Sequence, residues 1–214
     1  FIEEEELLNY IDEVNGEIEG KKLSSIDVSA IEHSLNELPY VAEADVFVTV
    51  EGYLKIKVRQ RQPMARVFNS HNQSFFIAND GHVIPGDFRY PKRILIINGY
   101  INDHQDSILN KNINNDPSFN QSMLPSVYKV ASHIHSDSLL SMLIDQMVVS
   151  DNGDIELIPS IHNHIVVFGN SDSTEFKFRK LKAFYKRGLL MAGWDKYKKI
   201  NLKFSNQVVC TKKP

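Results

Sequence analysis

The chain has 214 residues, 42% of them apolar and 24% charged, with a formal charge of −3. That make-up is ordinary for a globular protein of one large domain or two small ones, and so small a net charge gives no global reason to expect nucleic acid or an anionic membrane as partner. A single cysteine, Cys210, excludes an internal disulfide framework and a multi-thiolate metal site, and no run approaches the ~20 apolar residues of a membrane-spanning helix.

Residues 2–14 read as a helix, with Leu7, Ile11 and Val14 on one stripe and four glutamates near its start, where the helix dipole favours them. The chain opens abruptly inside this helix on Phe1, with no signal peptide, so the expectation is that a preceding segment has been removed. Asp27 is placed to cap a second helix carrying Ile31, Leu35 and Leu38, which Pro39 ends. In VAEADVFVTVEGYLKIKV, Val46, Val48 and Val50 alternate with Phe47 and Thr49, and Leu54, Ile56 and Val58 alternate with Lys55 and Lys57. With Glu51–Gly52 between them, the two runs predict a hairpin.

Pro63 marks a boundary, because proline cannot donate within a central strand. Beyond it, ARVFN, SFFIAN, HVIP and RILIIN are short apolar runs punctuated by turn residues, the rhythm of a β-rich region. Residues 102–122 contain six asparagines and few large apolar side chains, and read as a mobile surface insertion. LPSVYKVASHI predicts a helix, and Asn152–Gly153 between apolar runs predicts a hairpin. IVVFG is another strand. Phe178, Leu181, Tyr185 and Leu189 give residues 174–190 a helical stripe.

The stretch from Lys177 to Lys203 contains ten Lys or Arg and one acid, Asp195. It is either a solvated helix face or a surface for an acidic partner. Last comes a strand expected from Ile200 to Cys210, with Ile200, Leu202, Phe204, Val208 and Cys210 on one parity. Polar Asn206 interrupts that parity where a bulge or turn would end internal pairing. The expected fold class is α+β.

Chemistry is sparse. His133 and His135, two residues apart, point to different faces of a helix and chelate poorly there. His162 and His164 share a face of a strand, but no third ligand stands at a recognisable spacing. No nucleophile elbow and no phosphate-cradling glycine loop occurs. Arg59, Arg61 and Arg66 lack the interleaved aromatics that stack bases, and read as solvated strand faces. These readings point away from an enzyme, a cofactor protein and a nucleic-acid binder.

Specific residues also carry a resemblance. Gly20, Leu23 and Asp27, then Pro39–Tyr40–Val41, then Ala44 and Val46, and finally Gln60–Arg61–Gln62–Pro63–Met64–Ala65 occur in the order of motifs in the POTRA domain of the FtsQ/DivIB family of bacterial cell-division proteins. FFIANDGHVIP resembles that family's opening of its second domain, and KKINLKFSNQVV its closing strand. Tyr40, Gln60 and Asn201 depart from the usual tryptophan, glutamate and aspartate, as in a divergent branch. The resemblance implies a POTRA domain over residues 1–65 (helices packed on a small sheet, its first strand missing) and a mixed β-rich domain with flanking helices over 66–214.

The resemblance further implies a non-catalytic, single-pass inner-membrane protein whose periplasmic part is this chain, anchored by an absent N-terminal helix. Such proteins hold FtsB and FtsL at the septum and so help control peptidoglycan synthesis, with FtsK or other early division proteins met by the POTRA domain. FtsB pairs there with the final strand. Carried over, Lys203 stands for an arginine that meets an acid and Phe204 for an aromatic anchor. Ser205, Asn206, Gln207, Val208 and Val209 run along the paired edge. Against this, the strand is simply part of a closed core with lysines that discourage aggregation. A POTRA-containing assembly or secretion component, and less so a cell-wall hydrolase, are the other classes the residues leave open.

Overall fold

The computed structural model describes residues 4–18, 20–86, 93–161, 163–188, 193 and 196–214. They form two compact units that divide between Gln62 and Pro63.

In the first unit, helices α1 (Glu4–Asn15) and α2 (Val28–Asn36) pack on a hairpin of β1 (Val41–Val48) and β2 (Leu54–Gln60). Asp27 caps α2 by accepting from Ala30 N at 3.0 Å. The helical stripe and the strand alternation bury Ile11, Ile31, Leu35, Val41, Ala44 and Val46 as the core. Val14, Val48 and Val50 of the expected sets are exposed, because they lie at the ends of α1 and of the hairpin. On the other face Glu43 opposes Arg59 and Asp45 opposes Lys57. Side chains of α2 also reach the outer edge of β1. Glu32 Oε2 accepts from Val46 N at 3.0 Å, and Asn36 Oδ1 from Ala44 N at 2.9 Å. That edge is closed by side chains rather than by a strand.

Among the described residues the second unit has nine strands: β3 (Pro63–Phe68), β4 (Ser74–Ala78), β5 (Val83–Pro85), β6 (Leu95–Gly99), β7 (Ile144–Val149), β8 (Ile155–Pro159), β9 (Ile165–Gly169), β10 (Tyr197–Asn201) and β11 (Val209–Lys212). Their order across the sheet is β11-β10-β9-β8-β7-β6-β3-β4-β5. Pro63, Met64 and Ala65, read above as the end of the first domain, lie in β3. Parallel neighbours need crossovers, and these supply the helices. Between β6 and β7 run α3 (Gln105–Ile108), α4 (Leu124–Ser136) and α5 (Ser138–Leu143); between β9 and β10 runs α6 (Thr174–Ala183), continued by a π-helical turn over Phe184–Gly188.

One register line crosses the sheet through Phe75, Val67, Ile97, Met147, Leu157, Val166, Ile200 and Cys210. All but Cys210 are buried, in the same core as Val127, Val130, Ala131 and Ile134 of α4 and Phe178 and Leu181 of α6. The α+β class and the helices on a large mixed sheet agree with the sequence reading. Leu189 of the expected stripe lies outside the described residues.

Two expectations fail. Residues 102–122 are not a loose loop. Ile108, Ile113 and Phe119 are buried in the main core, and asparagine side chains close turns that ordinary loops leave to water. Asn112 Oδ1 accepts from Asn114 N, and Asn112 Nδ2 donates to Asp80 O at 3.0 Å. The segment lies along β5: Val83 N donates to Lys111 O and Asn110 N to Val83 O, both at 3.0 Å. It covers one edge of the sheet. Its polar composition hid three apolar anchors spaced too irregularly to show a period.

The second failure is the terminal strand, which is two strands. After Leu202 the chain leaves the sheet, turns through Phe204–Gln207 and returns as β11.

If the Asn-rich segment is anchored by its core side chains, Phe119→Ala destabilises the second unit by about 3–5 kcal/mol in denaturant titration. A surface loop would register within about 0.5 kcal/mol.

Candidate partner-docking edge

β10 continues the parallel ladder of β9, with Lys199, Ile200 and Asn201 opposite Ile165, Val166 and Val167. Its last bond is Leu202 N to Val167 O, 2.9 Å. Ile200 and Leu202 point into the core and are fully buried. Parity would send Phe204 inward as well, but three contacts turn the chain first. Asn201 Oδ1 accepts from Lys203 N at 2.9 Å. Lys180 Nζ on α6 donates to Leu202 O at 2.9 Å and also to Phe204 O. The Lys203 stem lies across Gly169, where an added Cβ would stand 2.8 Å from Lys203 Cγ, and its ammonium reaches Asp154 Oδ2 at 2.6 Å. Gly169 has φ +78°, so glycine is required there for the backbone as well as for the space.

The turn is thus bolted to α6, β9 and the β7–β8 hairpin, and it presents Phe204 47% exposed. On α6, Phe176 is 37% exposed, with the Arg179 guanidinium 5.3 Å and the Lys180 ammonium 5.4 Å from its ring. Lys180 therefore touches both the backbone under Phe204 and the ring of Phe176. Burial holds its pKa below the ordinary lysine value. β11 then pairs antiparallel with β10 and forms the end of the sheet. Among the described residues its ladder bonds run to β10, and no further strand pairs with its outer side.

The residues singled out from sequence fall into three places. Lys203 holds Asp154 within the chain, and the acid it was expected to meet would have to displace that contact. Ser205, Asn206 and Gln207 are exposed in the turn, Val208 packs partly on the core, and Val209 opens β11. Sequence reading missed Lys180, Phe176, Gly169 and the β11 residues Thr211 and Lys212. Phe176 carried a signal, since it is out of phase with the buried stripe of Phe178 and Leu181.

The other candidates are not brought together. His164 is buried, with Nε2 2.8 Å from Tyr185 Oη, while burial pushes the Tyr185 phenol far up. His162 lies outside the described residues. His133 stacks on Phe178 with ring centroids 4.9 Å apart. Arg59 pairs with Glu43 at 3.1 Å. Arg61 is no solvated residue: it is buried, and its Nε donates to Pro39 O at 3.0 Å. Arg66 donates to Ser74 Oγ and Gly86 O. Among the described residues no three His, Cys, Asp or Glu side chains converge as a metal site, and no helix is long and apolar enough to cross a membrane. Burial raises the Cys210 thiol pKa, which disfavours the reactive thiolate.

Lys180→Met keeps most of the stem and removes the donor. Amide hydrogen exchange at residues 203–209 should then accelerate at least about tenfold while that of β7 and β8 stays unchanged. Equal protection in the variant would show that the turn holds without the lysine.

The family described as FtsQ/DivIB, C-terminal related matches residues 62–211, more than half of the chain, and a POTRA-like domain matches residues 1–59. No curated protein matches. FtsQ/DivIB proteins are a cell-division scaffold family, and they and POTRA domains are generally non-catalytic. The POTRA-like match falls on the helices and hairpin of the first unit, the longer match on the helix-flanked mixed sheet of the second, and the chain belongs to the FtsQ/DivIB C-terminal related family.

Proposed function

We propose that this chain is a non-catalytic periplasmic scaffold of the division machinery that holds FtsB–FtsL by strand addition at β11, and so helps control septal peptidoglycan synthesis. The observation that carries this reading is the difference between the two edges of the large sheet. The Asn-rich segment covers β5, whereas β11 presents its outer backbone groups uncovered among the described residues. An uncovered edge in a sheet whose other edge is shielded is a place for a partner strand.

Charge supports one kind of strand. Residues 196–214 contain six lysines and no acid. Lys199 is paired with Glu156 at 3.3 Å and Lys203 with Asp154, which leaves Lys198 and Lys212 exposed beside the edge. A second copy of this chain would set lysines against lysines. An extended acidic segment with apolar side chains at alternate positions meets the lysines and gains contact with Phe204 and Val209. Because the turn is already fixed, little entropy is lost in presenting Phe204.

In this reading Lys203, Phe204, Ser205, Asn206, Gln207, Val208 and Val209 line the approach to the edge, and β11 makes the main-chain bonds. The first unit meets FtsK or another early division protein, and an N-terminal helix outside this chain holds the protein in the inner membrane at the septum.

The test is a binding titration against the periplasmic FtsB–FtsL segments of the same organism, beside a Phe204→Ala, Lys203→Glu double variant whose thermal transition is checked. The wild type should bind, and the folded variant should bind at least about thirtyfold more weakly, the effect of losing about 2 kcal/mol of contact. Wild-type affinity should also fall as salt is raised. Equal binding by both proteins would put the interface elsewhere, and no binding by either would remove FtsB–FtsL as the partner.

A further inference from the structure

The Asn-rich segment has a second surface, away from the edge it covers. A cleft of about 220 Å³ opens where the end of β6 meets the short 3-10 turn at Pro117–Phe119, lined by Tyr100, Asn102, Asp103, Ser118, Gln121 and Met123 among others. Tyr100 is 58% exposed at its rim. The backbone beneath it is fixed: Gly99 has φ +101°, an added Cβ there would stand 2.1 Å from Val149 O, and Tyr100 N donates to Val149 O at 2.8 Å.

The polar lining is fixed from behind. Asn102 Oδ1 accepts from Ser70 Oγ at 2.7 Å. Asp103 Oδ2 accepts from Ser122 Oγ at 2.9 Å, and Asp103 O from Asn69 Nδ2 at 2.8 Å. Ser118 Oγ accepts from Lys111 Nζ at 2.8 Å. Those bonds set the side-chain positions and use only part of their capacity. Among the described residues, the Asn102 amide nitrogen, the second Asp103 carboxylate oxygen and the Gln121 amide have no hydrogen-bond partner. A donor, an acceptor and a group that is both therefore stand beside one exposed aromatic face.

We propose that this cleft binds one ring of a glycan, an N-acetylated amino sugar. The C–H face of a sugar ring stacks on an aromatic side chain, while its hydroxyls and acetamido group take the fixed amide and carboxylate partners. Among the described residues Met123 is the one aliphatic side chain in a polar lining, and it gives the acetyl methyl an apolar seat. The volume suits a single ring, below the range of sites that enclose drug-sized ligands. Among the described residues Asp103 is the one carboxylate in the lining, and the inference is of binding rather than of hydrolysis, which ordinarily takes two. The proposal does not depend on the docking edge.

The experiment is a nuclear magnetic resonance titration of the full chain, following the Asn102 and Gln121 side-chain amides. Chitotetraose is the probe, and cellotetraose, which lacks the acetamido groups, is the comparison. Chitotetraose should shift both amides saturably, cellotetraose should bind at least about tenfold more weakly, and Tyr100→Ala should weaken chitotetraose by a similar factor with its thermal transition unchanged. Absence of a saturable shift overturns the proposal. So does equal binding of the two saccharides, or full binding by folded Tyr100→Ala.

Discussion

The apolar row that runs from Phe75 across the sheet to Ile200 is the constraint on which the second unit depends. In a strand, a slip of one residue turns every side chain to the other face, so a continuous buried row locks all the registers together. Its last members decide what happens at the end of the chain. Ile200 and Leu202 enter the core, and Lys180 then takes the carbonyls of Leu202 and Phe204. Held at that point, the chain cannot continue along β9. It turns, returns as β11, and makes β10 an interior strand.

That order of events also separates what was legible in the sequence from what was not. Regular periods were readable. The stripe of Ile31 and Leu35, the alternation through Val46 and Leu54, the Asn152–Gly153 hairpin and the inward set Phe178, Leu181 and Tyr185 all depend on local spacing, and local spacing survives into the structure. The break in the terminal strand was flagged by Asn206 but could not be placed, because its cause is long-range: one lysine on α6, one glycine at the end of β9 and one aspartate after β7. The anchoring of residues 102–122 was hidden for the same reason. Ile108, Ile113 and Phe119 have no common period, and the asparagines between them are consumed by turns and by the edge of β5. Composition described them as surface, whereas packing makes them structure.

The uneven charge, by contrast, was readable from the sequence. The overall −3 conceals an acidic first unit, since residues 1–62 carry fourteen Asp or Glu against six Lys or Arg, and a basic remainder. The basic part is concentrated on α6 and the terminal hairpin, where two of its lysines are neutralised by Asp154 and Glu156 and others remain exposed. In the proposed reading, a basic strand edge at one end of the sheet and a shielded edge at the other would select a partner by backbone geometry and by charge together. The Asn-rich segment covers β5, and the same segment lines the polar cleft beside Tyr100.

The measurement that bears most directly on this account is amide hydrogen exchange across the whole chain, with and without saturating FtsB–FtsL periplasmic segments. The sheet supplies its own control, because β5 and β11 are its two ends. The account predicts that exchange at Val209–Lys212 slows on binding while Val83 and Ile84 in β5 stay as they were. Protection confined to β5 or to the first unit, with β11 unchanged, would contradict strand addition at the terminal edge.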